Sequence, residues 1–469
     1  MKWTCAPLLL AAQAATEEEY KQKLTAVHKS CAAKHYSIGE YLTTSQMHLW
    51  ARAEFNRTVE YDGDHEGARK RLGYKKGDSG WENDPTAKIE GNKKKETDPD
   101  GQRVKKTYTE RLESAGKDMS RLWSDLALWC RKGSLAKEAL EAFRKAVEYD
   151  PTSALARKEL GYEKDGKGVW VSKAERELRR EMKDGIAKAP SGAASAEAGE
   201  VERALGQKHA HRESGHFLVE APHLKDAELA GIAQHGEHAY AMYHKIFGAA
   251  DDLFGGRRMN AVILKDKAQH LRYVDAFHKG PAAQKELARK SSGTGGFPRT
   301  EAFQDTMPLP VFEDWIIHQT VQMLSYFFVG GDHLWIHEGT AYHFTRLMKD
   351  SAAWTCVDLA GTSPGAGENK NLKDPANWPV ILKVWVREGK DPNIDAVVKA
   401  TNLAEFDGPE SIKGWSLVDF LLAEHHDKFL DLCKALKQGA ALEEALKAVW
   451  GWTSADLDMR WKRFVTATY

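Results

Sequence analysis

An internal repeat constrains the first half of this chain more than any other feature. Phe55-Asn56-Arg57-Thr58-Val59-Glu60-Tyr61-Asp62 recurs as Phe143-Arg144-Lys145-Ala146-Val147-Glu148-Tyr149-Asp150. Ala68-Arg69 and Leu72-Gly73-Tyr74 recur as Ala156-Arg157 and Leu160-Gly161-Tyr162, again at an offset of 88 residues, and Trp81 matches Trp170 one residue later. Matches held in register over that distance mark a duplicated structural unit. In the second copy Leu126, Trp129, Ala139, Leu140, Phe143 and Val147 fall at three- and four-residue steps, which predicts a helix pair broken at Gly133. Asp150-Pro151 is expected to give an N-cap and a first-turn proline to the next helix. Leu160-Gly161-Tyr162 and Gly168–Val171 read as a helix end with a short extended tail.

A helix pair followed by such a restart resembles a tetratricopeptide-type hairpin. Two units offer a small protein- or peptide-binding groove, or a spacer that packs on its neighbour. Residues 75–117 are rich in Lys, Asp, Gly and Glu and predict a solvated, partly disordered insertion. Residues 187–211, with Pro190-Ser191-Gly192-Ala193-Ala194-Ser195, read as a linker. The expected organisation is multidomain: an all-α repeat-like region over 16–186 and an α+β domain with a helical C-terminal lobe over 212–469.

Lys plus Arg equals Asp plus Glu at 68 each, so overall charge gives no argument for a nucleic-acid partner. Met1-Lys2, an apolar run to Ala12 and Ala12-Gln13-Ala14 resemble a short bacterial secretory signal over 1–15, which implies a secreted or periplasmic protein. No other stretch is long and apolar enough for a membrane span. Cys31, Cys130, Cys356 and Cys433 match no zinc motif and read mainly as buried thiols, with a Cys356–Cys433 bridge left open.

The second half predicts strands at Gly215–Val219 and Asn260–Leu264, a helix over Asp226–Phe247, and an extended edge at Gly295-Gly296-Phe297. Phe312, Trp315, Ile316, Val321, Leu324 and Phe327 then mark a largely buried helix carrying His318 and Gln322, and the next helix carries Glu338 and Tyr342. Buried helices at Gly414–Leu422 and Phe429–Leu436 follow. Thr453 with Asp456 predicts a capping box on the last helix, and His425-His426 read as an exposed helix end.

His318-Gln319-Thr320-Val321-Gln322 followed by Trp335-Ile336-His337-Glu338-Gly339-Thr340-Ala341 resembles the gluzincin zinc-peptidase pattern, His-Glu-x-x-His and then Trp-Leu-x-Glu-Gly-x-Ala. The order of the C-terminal helices is similar to that of bacterial peptidase-MA-like proteins. The resemblance implies that His318 and Glu338 are remnant zinc ligands. Gln322 stands at the second His ligand and Gln319 at the general base. An amide oxygen is a weak metal donor compared with imidazole, and Gln319 cannot take a proton from a metal-bound water. The family's oxyanion-stabilising Tyr is expected shortly before Trp415, where Ser411 stands instead.

The resulting expectation is a pseudopeptidase that needs no cofactor. It would bind a peptide or protein in a cleft lined by Trp335, His337 and Tyr342, or through its repeats. An active zinc peptidase with a remodelled site, drawing on His333 with His318 and Glu338, is the competing expectation, and a structural scaffold is a third.

Overall fold

The computed structural model describes residues 5–87, 91–93, 98–164, 170–305, 307–353, 374–403, 405–406 and 408–469, with side chains from residue 17 onward. The chain is mostly helical with a small mixed sheet and divides into two compact units, Met1–Lys173 and Ala174–Ala467 with Tyr469. The division falls ahead of the segment expected as a linker.

The first unit contains the repeat. Its first copy is α1 (Cys5–Thr44), α2 (His48–Tyr61), α3 (Glu66–Arg71), β1 (Tyr74–Gly77) and β2 (Gly80–Asn83). Its second is α4 (Pro99–Lys132), α5 (Ala136–Tyr149), α6 (Ala154–Glu159), β3 (Tyr162–Lys164) and β4 (Trp170–Ser172). Equivalence extends to the backbone. Gln46 and Ser134 turn at φ 64° and 62°, while Gly73 and Gly161 turn at 86° and 81°, a region where glycine carries no Cβ penalty. The equivalent Tyr149 and Tyr61 hydroxyls hydrogen-bond to each other, so the two copies meet at the same repeated residue.

Two local expectations are revised here. Much of the 75–117 segment is ordered: β1 and β2 pair as an antiparallel hairpin, and 99–117 is the front of α4. Pro99 opens that helix, and Val104, Leu112, Ala115 and Met119 bury a stripe that the surrounding charges disguise. Asp150 does not cap α6; its carboxylate accepts the Thr152 N–H at 3.0 Å, and Ser153 is the N-cap. The expected signal segment lies partly outside the described residues, and its remainder lies within the span of α1. No described helix is long and apolar enough to cross a membrane.

Glu54 of α2 is buried without solvent contact. It is held by His35 Nδ1 at 2.7 Å, by the Tyr108 hydroxyl at 2.7 Å and by Arg57. Burial pushes the carboxyl up, but the Arg57 charge and the His35 and Tyr108 hydrogen bonds overcome it and leave it at about 2.

The second unit opens with α7 (Lys173–Asp184) and is organised by a mixed sheet. Its strands are β5 (Ala193–Ser195), β6 (Ala210–Glu213), β7 (Phe217–Ala221), β8 (Met259–Leu264), β9 (Gly293–Thr294) and β10 (Arg299–Phe303), in the order β5-β6-β7-β8-β10-β9. β7–β8 and β8–β10 are parallel and the other pairs antiparallel. The expected linker therefore contributes β5 and α8 (Glu200–Leu205) to this unit; the small Ala and Ser side chains of an edge strand carry no pattern of alternation. α9 (Asp226–Phe247) crosses from β7 to β8, and α10 (Lys267–Phe277) and α11 (Ala282–Lys290) cross from β8 toward β9 and β10.

α12 (Leu309–Val329) and α13 (Leu334–Lys349) form a helix hairpin. α14 (Trp378–Glu388), α15 (Ile394–Lys399), α16 (Gly408–Lys437), α17 (Leu442–Trp450) and α18 (Ser454–Thr468) complete the unit. α16 joins both expected tail helices and kinks at His425, which packs among Phe420, Trp450 and Trp452 rather than at an exposed helix end. The Thr453–Asp456 capping box is present. Cys31, Cys130 and Cys433 are buried free thiols, and burial pushes the first two up to about 11; Cys356 and the bridge to it lie outside the described residues.

α13 crosses α16 at two glycines. A Cβ on Gly339 would stand 2.6 Å from the Gly414 carbonyl oxygen and 2.9 Å from Val418 Cγ2. Gly339→Ala should therefore cost about 1–3 kcal/mol of stability, read by urea unfolding, because backbone on the far side cannot move aside cheaply. A loss under about 0.5 kcal/mol, the range of a neutral surface change, would contradict this crossing.

Glu54 supplies a second expectation. A carboxyl lowered from 4.5 to about 2 on folding contributes stability above pH 4.5 and loses it as pH falls toward 2. Glu54→Gln should destabilise the first unit by on the order of 3 kcal/mol at pH 7. The gap from wild type should close as the pH is lowered through that window. A gap independent of pH would show that Glu54 is not held as a carboxylate.

Candidate functional site

α12 is apolar on nearly every side, as expected of a helix surrounded by protein, and its polar residues are the exception. His318 and Gln322, four residues apart, share one face. The connection Gly330–His333 turns the chain back so that the first turns of α13 bring Glu338 opposite them. His318 and Glu338 are inaccessible to solvent, and Gln319 and Gln322 nearly so.

Both carboxylate oxygens of Glu338 are engaged. His318 Nε2 lies 3.1 Å from Oε2, and the Gln322 amide nitrogen donates to Oε1. The Gln322 amide thus presents a donor to the carboxylate rather than a lone pair to a metal. Buried polar groups require partners, and this arrangement supplies them from within the protein.

Gln319 points elsewhere. Its amide oxygen accepts from the Thr300 hydroxyl of β10 at 3.1 Å, and a Cβ on Gly295 would stand 2.7 Å from that oxygen. The Gly295-Gly296 segment following β9 therefore lies directly on the Gln319 side chain. Thr300 was not singled out by sequence, whereas Gly295 was, as part of the extended edge expected at Gly295-Gly296-Phe297.

The three residues expected to line a cleft are all buried. Tyr342 sets its ring edge-on to His318, with centroids 4.9 Å apart and planes at 64°, and meets Trp378 on its other side. Trp335 packs at the Gly414 crossing, 3.5 Å from its Cα to a Cβ built on Gly414. His337 faces away from Glu338: its Nδ1 is 2.8 Å from the Ser325 hydroxyl and its Nε2 is 3.1 Å from the Gly331 carbonyl. Burial lowers His337 to about 4, so the ring is neutral at pH 7.

His343 pairs with Asp419 at 3.2 Å. Among the described residues, His318 and Glu338 belong to no group of three or more His, Cys, Asp or Glu able to hold an ion, and His333 is not drawn in. Near Trp415, Tyr469 stacks on the indole at 5.6 Å and donates to Asp419 at 2.9 Å, while Ser411 lies 3.4 Å from the Phe406 carbonyl.

This geometry makes Glu338 a structural hub. Glu338→Ala would leave two buried donors facing a void and should cost about 2–4 kcal/mol. The loss should be the same with and without a chelator, measured by denaturant unfolding. A loss that appears only with metal present would assign the carboxylate a ligand role instead. Compared with known proteins, the chain matches no protein-family model and none of the curated sequences.

Proposed function

We propose that the second unit is a degenerate relative of the gluzincin zinc peptidases that has lost hydrolysis and retains peptide binding. The observation carrying this reading is the state of Glu338: the carboxylate in the distal-ligand position is occupied by donors from His318 and Gln322. The position of the general base holds an amide whose oxygen already accepts a hydrogen bond from Thr300. Neither the nucleophilic water nor a base to activate it has a place in this arrangement.

Retained binding is supported by the sheet. β9 is the terminal strand on the side of α12, and the Gly295-Gly296 segment continues it past Gln319. An extended peptide recognised by adding to such an edge gains main-chain hydrogen bonds without any catalytic group. The first unit, with its paired helix hairpins, suits a second contact with a protein partner. Its 88-residue repeat is far longer than the 34 residues of a tetratricopeptide unit, and α4 alone has 34 residues, so its surface would differ from that of such arrays.

Two variants test the proposal. Gln319→Glu combined with Gln322→His should gain one zinc ion per chain relative to wild type, while either single change leaves hydrolysis absent. Gly295→Val, which crowds Gln319, should weaken peptide binding about tenfold, equivalent to about 1.4 kcal/mol, in fluorescence polarisation with peptides selected from an array. Chelator-sensitive proteolysis by the wild-type chain would overturn the proposal. So would peptide binding indifferent to Gly295→Val, which would move recognition away from this edge.

A further inference from the structure

A second histidine cluster lies on the sheet itself. His211 of β6 stands directly across from Glu220 of β7, and His209 precedes the strand on the same side. Glu220 Oε2 lies 2.9 Å from His209 Nδ1 and 3.3 Å from His211 Nε2. Glu202, on α8, brings its Oε2 to 3.3 Å from the same His211 nitrogen. His209, His211 and Glu220 are all buried, and their ligating atoms lie within 4.8 Å of one another.

Hydrogen bonding alone does not account for this cluster. His211 Nε2 also faces the Gly199 backbone N–H at 3.3 Å. A neutral ring nitrogen either donates or accepts. If it accepts from Gly199, its lone pair stands beside two carboxylate oxygens with nothing positive between them. If it donates, it confronts the Gly199 N–H. Glu202 Oε2 is buried and makes no hydrogen bond, and His209 Nε2 makes none either. Two acidic groups and two imidazoles gathered in a buried place require a compensating cation or a shared proton.

The dimensions suit a metal ion. Zinc bonds of about 2.0–2.1 Å at tetrahedral angles separate adjacent donors by about 3.3 Å, which matches both His211 separations. Asn260 Nδ2 donates to Glu220 Oε1 at 2.8 Å and so turns Oε2 toward the two histidines, the outer-shell support that ligating carboxylates use. Gly199 closes the remaining side: a Cβ there would stand 3.1 Å from Glu220 Oε2 and 3.2 Å from His211 Nε2. His209, His211 and Glu220 supply three donors, two imidazoles and one carboxylate, a set that zinc accepts, and Glu202 stands beside His211.

We propose that His209, His211 and Glu220 form a zinc site, with Glu202 of α8 standing beside it, that fastens the approach to β6 onto the sheet. The site is separate from Glu338 and does not depend on how the α12–α13 hairpin functions. Its effect is on folding, because ligands gathered only in the native state convert binding into stability.

The test uses the full chain, stripped with chelator, reloaded with zinc, desalted and assayed for metal by mass spectrometry. Wild type and His318→Ala should each retain one zinc per chain, and His211→Ala and Glu220→Gln should retain none. Cobalt in place of zinc should give the visible absorption of a tetrahedral site in wild type. Zinc should raise the melting temperature of the stripped wild-type protein by at least about 5 °C. These two wild-type readings decide the matter should the ligand variants fail to fold. Folded wild type that retains no zinc, or zinc lost in His318→Ala and kept in His211→Ala, overturns the site. Two ions per chain, one lost in each variant, would uphold this site and contradict the metal-free reading of Glu338.

Discussion

The second unit depends on a buried carboxyl group shared by two side chains of one helix. Glu338 cannot reach water, so the α12–α13 hairpin must satisfy it internally, and His318 and Gln322 do so from adjacent turns of one helix. That requirement fixes the rotation of α12 against α13. It also fixes the place where α16 crosses, because Gly339, the residue after Glu338, must admit the Gly414 backbone. Tyr342 then packs edge-on against His318, and Trp378 against Tyr342. The Gln322 amide presents hydrogen to the carboxylate, so the cluster is satisfied from within the protein.

Much of this was legible in the chain, for identifiable reasons. α9 runs over the expected Asp226–Phe247, where apolar spacing is sustained for many turns and Gly248 ends it in the left-handed conformation. The repeat was legible because many matched residues, Tyr61 and Tyr149 among them, stand at one constant offset. α4 was hidden because its apolar stripe is built from widely spaced Val104, Leu112 and Met119 among charges, so composition outweighed period. β5 was hidden because three small residues at a sheet edge carry no alternation and the surrounding Pro and Gly suggest a linker.

The site was legible in type more than in arrangement. Spacing placed His318 and Gln322 on one face, since helical geometry decides which residues share it, while Glu338 was placed with them only by the resemblance to the gluzincin pattern. Spacing could not place Thr300, which reaches Gln319 from the sheet, nor foresee that His337 turns to Ser325. The Glu54 cluster escaped because its partners, His35 and Tyr108, come from different helices and the second copy has Ala142 at the equivalent position. His209 and His211 were not singled out, because only the strand register brings Glu220 to them and only the short helix α8 brings Glu202.

The most direct measurement of the central claim is anomalous diffraction at the zinc absorption edge from crystals of the wild-type chain grown with zinc. A carboxylate satisfied by His318 and Gln322 predicts no anomalous peak between His318 and Glu338, with the Gln322 amide resolved against Glu338. A fully occupied peak bridging those two side chains would contradict the account.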